Sequence, residues 1–479
     1  MTFLSNTMHP SFDAAAIVPF SGPNGMHGAL VYDQLVRVDY ETGEVIPRIA
    51  ESLESADNAT EWTIKIREGV TFTDGTPYDA DAVIFNWERM KDPALASPCK
   101  AQIDPLTYSA TDDLTITVTL PEPRAAFPIT VRDCLSGVAS PAAIEEFGAE
   151  YGSTADKIVG AGPFMVTDYI AGQRYTLTRN PDFWDSPRPY LDELTMLLSP
   201  EGATSIDAVI AGNAGGARLS APDADAARGR EAGLIEVGTM SAGGVCYCFN
   251  VGQPPFDDVR VRQAIILASD LEDMNEKAAS GHLPEMGPYY AEDSPNYDAS
   301  LAQETNDLAA AQALIDEVVA ETGGPVTFAI LGTDTFNAID TTMQQQWSRL
   351  ENVEVTYESV PGTDRRTRRA ELNYQVTPAT LSCVDAECFF TQLHTTSTQN
   401  SKNYGTPELD ALIDEARGVT DPERRQELFA EIVQTAIIDD PVGVLIYRLT
   451  TPTFFDPDVV GGVDKLDESS ADLASLWLQ

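Results

Sequence analysis

The side chains that could carry covalent or acid–base chemistry are few in kind and scattered along the chain. Its 479 residues include 4 histidines and 6 cysteines against 75 aspartates and glutamates. A serine nucleophile needs a histidine base beside it, and His9, His27, His282 and His394 stand far apart in sequence. No G-x-S-x-G, H-E-x-x-H, Walker loop or S-x-x-K occurs in a fitting context. Two carboxylates flanking a glycosidic bond are the enzymatic arrangement left open, and turnover of a sugar would reveal it. With 75 acids such pairs arise by abundance alone, and most surface carboxylates only meet water. Cys99, Cys134, Cys246, Cys248, Cys383 and Cys388 form no C-x-x-C, which argues against zinc. No catalytic residue, metal or cofactor is expected.

Gly160-Ala161-Gly162 opens like a dinucleotide fingerprint, but Pro163-Phe164-Met165 stands where a third glycine and a helix are required. The segment from Phe164 instead reads as a hairpin turning at Ala171-Gly172. A net charge of −45 repels phosphate-rich partners, so nucleic acid and anionic membrane surfaces are excluded. No run of eighteen apolar residues is present to span a bilayer. Binding chemistry asks for something else: a concave, mostly apolar pocket with a few placed polar groups. Phe20, Tyr247, Phe249, Phe336, Phe389, Phe390 and Tyr404 are aromatic candidates for its walls, with core packing as the alternative for each.

The elements that would position such a pocket are clearest from Trp62 to Trp87. Trp62, Ile64 and Ile66 alternate with polar residues as in a half-buried strand, and Val70 and Phe72 resume the alternation after Glu68-Gly69. Asp74-Gly75 is a turn, and Asp79 is placed to cap a helix carrying Val83, Trp87 and Met90 on one stripe. Strand, turn, strand, turn, helix is the expected order. Further on, helices over 308–319 and 339–350 alternate with strands over 326–331 and 353–355, an α/β pattern. At this length two or three domains are expected.

The phrases IREGVTF, DGTPYDAD and AVIFNW, in this order, resemble the signature of the family 5 bacterial extracellular solute-binding proteins, the binding components of ABC importers. The likeness recurs in GAGPF with Asn180-Pro181-Asp182-Phe183-Trp184, in PPFDDVRVRQA (254–264) and in YGTPELDALI (404–413). It implies a two-lobed periplasmic-binding-protein fold of the large type II class. The first lobe would comprise 1–30, 160–245 and 449–479, an extra subdomain 31–159, and the second lobe 246–448, with crossings near 245–250 and 444–449. It also implies a monomer, exported as a periplasmic protein or a cell-surface lipoprotein behind a leader. Such a protein holds a small solute in the interlobe cleft and delivers it to a membrane permease. Peptide is the leading ligand class, with oligosaccharides, metal complexes and other small organics as alternatives.

The same resemblance suggests site residues. The glycine-punctuated segment 11–27, with Phe20, Ser21 and Asn24, would approach the ligand from the first lobe. In peptide-binding members a tryptophan and an aspartate that pairs with the peptide α-ammonium precede a second aspartate and a phenylalanine. Aligning the phenylalanine on Phe389 puts Ala379 and Ser382 at the first two positions and Asp385 at the third. Serine can accept from an ammonium but supplies no charge, so the usual dipeptide clamp is missing. Just upstream, Arg365 stands in a run with Arg366, Arg368 and Arg369. Either the run is a solvated helix face, or Arg365 holds a ligand carboxylate.

In an exported protein six cysteines permit disulfides. Cys383 and Cys388 close a short loop and are expected to bond, with Cys99–Cys134 a second candidate. Cys246 and Cys248 are not expected to bond each other, because two residues in a strand approach the upper limit of Cα separation. Buried free thiols are the alternative for all six.

Overall fold

The computed structural model describes residues 1–479 except 9–10, 18–19, 21–24, 39–43, 57–58, 220–223, 239–241, 285, 293, 334–336, 449 and 464–472. The chain forms two compact units: Met1–Ala221 with Asp225–Thr239 and Thr451–Gln479, and Pro222–Ala224 with Met240–Thr450.

The first unit is built on a seven-stranded sheet in which Thr2–Ser5 lies parallel to both Glu193–Leu198 and Gly216–Arg218. Thr453–Phe455, from the far end of the chain, adds antiparallel to Gly216–Arg218, and Phe455 packs on Phe3 with ring centroids 5.8 Å apart. A four-stranded antiparallel sheet holds the 62–87 stretch. Glu61–Ile66 turns Trp62, Ile64 and Ile66 inward, as its alternation requires. Val70 and Phe72 are buried too, but the second strand expected here is one bridge, Thr71 to Pro77. The Asp74-Gly75 turn, with Gly75 at φ +83°, reverses the chain too soon for a longer ladder. Asp79 Oδ1 then accepts from the Ala82 amide at 2.9 Å and starts the helix Ala80–Met90, which buries Val83, Trp87 and Met90.

Gly160 and Gly162 serve packing, not phosphate. Gly162 N donates to Val31 O at 2.9 Å, and a Cβ on Gly160 would sit 2.1 Å from that oxygen. The hairpin Phe164–Ile170 with Arg174–Arg179 comes next, as its turn signal predicts. At its end Trp184 Nε1 donates to Asp33 Oδ2 at 2.8 Å. Asp33 is buried and also accepts from Arg48 at 3.1 Å. The Arg48 and Arg67 guanidinium carbons lie 5.2 and 4.6 Å from the Trp184 ring centroid.

The second unit carries a five-stranded sheet in the order Val353–Ser359, Val326–Gly332, Val376–Leu381, Gly244–Phe249, Gly443–Tyr447. The first three strands run parallel, and the helices Leu308–Thr322 and Asn337–Trp347 give the expected α/β alternation. The long segment of the second unit is Met240–Thr450. Gly244–Phe249 is hydrogen-bonded on both sides within this sheet, which carries it wholly into the second unit.

Three disulfides are present: Cys99–Cys134, Cys383–Cys388 and Cys246–Cys248. The last corrects the sequence expectation. The Cys246 and Cys248 Cα atoms lie 5.5 Å apart, inside bonding range, although both residues keep regular register with the strands on either side.

Candidate functional site

Parallel strands of an open α/β sheet end together, and ligands gather outside their carboxyl ends. In the second unit those ends are Gly332, Ser359 and Leu381, with Gly332 paired to Ser359 and Leu381 to Gly244. The edge is tight. Gly243 sits at φ +63°, and a Cβ there would come within 2.0 Å of Leu381 O.

Near this edge Tyr247 and Tyr357 stand on the strands Gly244–Phe249 and Val353–Ser359, with Asp340 and Arg365 on the helices Asn337–Trp347 and Gly362–Ala370. Asp340 is fully buried on the helix Asn337–Trp347 and accepts from the Tyr247 hydroxyl. Tyr357 donates to Thr333 O at 3.2 Å. Burial pushes the Asp340 carboxyl up to about 6, against the hydrogen bond from Tyr247, the nearby Tyr357 hydroxyl and the Arg365 charge, which favour its anion. Arg365, half-buried on the helix Gly362–Ala370, donates one Nη to Pro378 O, and its Nε has no hydrogen-bond partner among the described residues. Burial, then the neighbouring Arg369, lowers its pKa. The arrangement offers a buried acid that can hold or release a proton beside a cation with donor capacity to spare.

The other expected site residues divide. Ser382 follows Leu381 directly and is half-buried at this edge. Asp385 caps the helix Ala386–Leu393, Oδ1 accepting from the Cys388 amide at 2.9 Å, within the loop that Cys383–Cys388 closes. Tyr247 packs edge-on to Trp347 at 5.3 Å, and Phe389 lies between Tyr289 and Phe429 with no exposed surface. Tyr404 is buried in the same cluster as Phe389, its hydroxyl pushed up to about 12 by burial. Phe249 is stacked on Phe256 at 4.5 Å, and Phe390 is half-buried under the Arg417 guanidinium. Phe20 belongs to the first unit and is buried in its core. Ser21, Asn24 and Phe336 lie outside the described residues. Among the described residues no group of three or more His, Cys, Asp or Glu side chains is placed to hold a metal, and no helix is long and apolar enough to cross a membrane.

Asp340 was missed from sequence, although a signal existed. Asp340, Met343 and Trp347 share one helical stripe, and a carboxylate on an apolar stripe asks for a partner. Its ionisation has a measurable consequence. Because the folded pKa is raised, the native state holds a proton that the unfolded chain releases, so stability falls as pH rises from about 4 to about 6. Asp340→Asn keeps an acceptor for Tyr247 without the charge. The unfolding free energy of the variant relative to wild type, from urea titrations at pH 5 and 7.5, should rise by about 1 kcal/mol at the higher pH. A difference that does not change with pH would contradict the buried anion.

Comparison with known proteins agrees with this architecture. Residues 44–400 match the model of the bacterial extracellular solute-binding proteins, family 5 middle. The periplasmic oligopeptide-binding protein OppA of Salmonella typhimurium is 27% identical over 473 residues, covering 91% of this chain and 85% of that protein. The probable deoxycholate-binding periplasmic protein YgiS of Escherichia coli is 24% identical over 436 residues, 84% of this chain and 80% of that one. Among solved structures, the ABC transporter substrate-binding protein CtaP of Listeria monocytogenes superposes with a TM-score of 0.82 at 21% identity, over 100% of this chain and 99% of its own. With the periplasmic-binding-protein fold and a family match spanning 44–400, the chain belongs to the family 5 bacterial extracellular solute-binding proteins.

Proposed function

We propose that this protein is the substrate-binding component of an ABC importer, capturing a small solute, foremost an oligopeptide, and handing it to a membrane permease. The observation that carries this reading is the alignment along 91% of the chain with an oligopeptide-binding protein. It works by binding and not by turnover, as a monomer in the periplasm or anchored by lipid at the cell surface, with no nucleic-acid partner. Arg365 is assigned to a carboxylate of the ligand, with Asp340 and Tyr247 holding that edge of the sheet, and Ser382 to a polar contact.

A second reading, a non-peptide organic solute, is favoured by Ser382 itself. No carboxylate stands at that position, and Asp385 Oδ1 is engaged in capping a helix. A charge-assisted contact contributes about 1.5–3 kcal/mol, so its loss weakens affinity by roughly ten- to a hundredfold. Calorimetry with dipeptides and longer peptides, free and N-acetylated, tests this. Dipeptides should bind weakly, with a small effect of acetylation and no cleavage. Submicromolar dipeptide binding that acetylation abolishes would reveal an ammonium partner, and its loss in Asp385→Asn would name it.

A further inference from the structure

A second polar site lies at the opposite end of the same sheet. Asn250, which comes directly after the strand Gly244–Phe249, donates to Leu372 O at 2.9 Å and Tyr374 O at 3.0 Å, near the amino end of Val376–Leu381. There a pocket of about 650 Å³ is lined by Arg366 and Arg369 together with Thr395, Ser397, Asn400 and Tyr404. None of the residues lining it is acidic, in a chain with 75 carboxylates. Arg366 and Arg369 are one helical turn apart and so share a face. Of their neighbours in the run, Arg368 pairs with Glu358 at 2.8 Å and Arg365 turns one Nη to Pro378 O. Among the described residues Arg366 and Arg369 make no side-chain hydrogen bond or ion pair.

The positive charge there is uncompensated, and neighbouring groups register it. Lys402 is fully buried, its Nζ donating to Gln392 Oε1 at 2.7 Å. Burial, then Arg369, lowers the Lys402 pKa to about 7. Arg369 and Arg366 likewise disfavour the charge on Arg365. An anion in the pocket would relieve this repulsion, and the two guanidiniums supply its donors, because the Thr395 and Ser397 hydroxyls and the Asn400 amide already donate within the protein, to Asp410, to Thr391 O, and to His394 O and Tyr404 O.

We propose that this pocket binds an oxoanion, the carboxylate or phosphate group of a small solute, between Arg366 and Arg369, independently of the captured ligand. Two planar guanidiniums on one face suit a group with at least two oxygens.

The test is calorimetry on the full chain at constant chloride, with inorganic phosphate and succinate as separate probes. One or both should bind saturably at millimolar concentration or below, and the probe that binds identifies the source. Arg366→Gln and Arg369→Gln should each weaken it by about tenfold or more, while the solute carried through purification is unchanged by mass spectrometry. Both side chains lie at the surface or half-buried, so the variants should fold, which circular dichroism checks. If neither probe saturates, or the double variant binds as the wild type does, the site is refuted. A solute load altered in the variants would refute its independence while leaving the solute-binding reading intact.

Discussion

Asp33→Asn will lower the urea midpoint of the first unit by about 1 M. Asp33 is the hub of a buried cluster: Arg48 Nε and Nη2 both donate to it at 3.1 Å, Trp184 Nε1 at 2.8 Å and the Gln34 amide at 2.7 Å. Removing one member of a buried ion pair strands the other charge, at about 3–5 kcal/mol. The lower end applies here, because Asp185 still meets Arg48 at 3.3 Å. Asparagine isolates the charge effect. Asp33 sits at φ +56°, a left-handed conformation that asparagine tolerates, and the amide oxygen can still accept from Trp184. Tryptophan fluorescence during unfolding reports the change directly. A midpoint within about 0.2 M of wild type would show that water or Asp185 compensates the guanidinium.

Loss of the Cys99–Cys134 disulfide will cost more than loss of either other disulfide. Closing a loop with a sequence separation of 35 stabilises by about 4 kcal/mol through the unfolded chain, against about 2 kcal/mol for a separation of 5. The bond also pins Lys100–Ile103 beside the core that holds Trp62, Trp87 and Leu135. Cys99→Ala with Cys134→Ala should therefore unfold at markedly lower denaturant than Cys383→Ala with Cys388→Ala, with ligand binding altered only in the second. Equal stability losses in the two pairs would mean that loop entropy is not what these bonds contribute.

How far the sequence could be read depended on whether a residue's role was written locally. The alternation of Trp62, Ile64 and Ile66 and the cap at Asp79 depend on neighbours within a few positions, and both appear as expected. The Cys246–Cys248 bond runs against the sequence reading, because the extended spacing expected for two residues of a strand is longer than the 5.5 Å found between their Cα atoms. Tyr247, Phe389 and Tyr404 look alike as candidates for a pocket wall or a core. Only tertiary packing distinguishes these roles: Tyr247 and Phe389 have no exposed surface, whereas the largely buried Tyr404 also lines a pocket. The Asp340–Tyr247 contact joins residues 93 apart in sequence, so it was legible only as an oddity: a carboxylate on an apolar helical stripe.

The central claim is that this protein captures a small solute, foremost a peptide, and releases it unchanged. Protein purified under native conditions, then denatured and filtered, yields whatever it carried. Mass spectrometry of that filtrate should show short peptides of mixed sequence, up to one per chain. A single non-peptide mass at that stoichiometry would contradict the peptide reading.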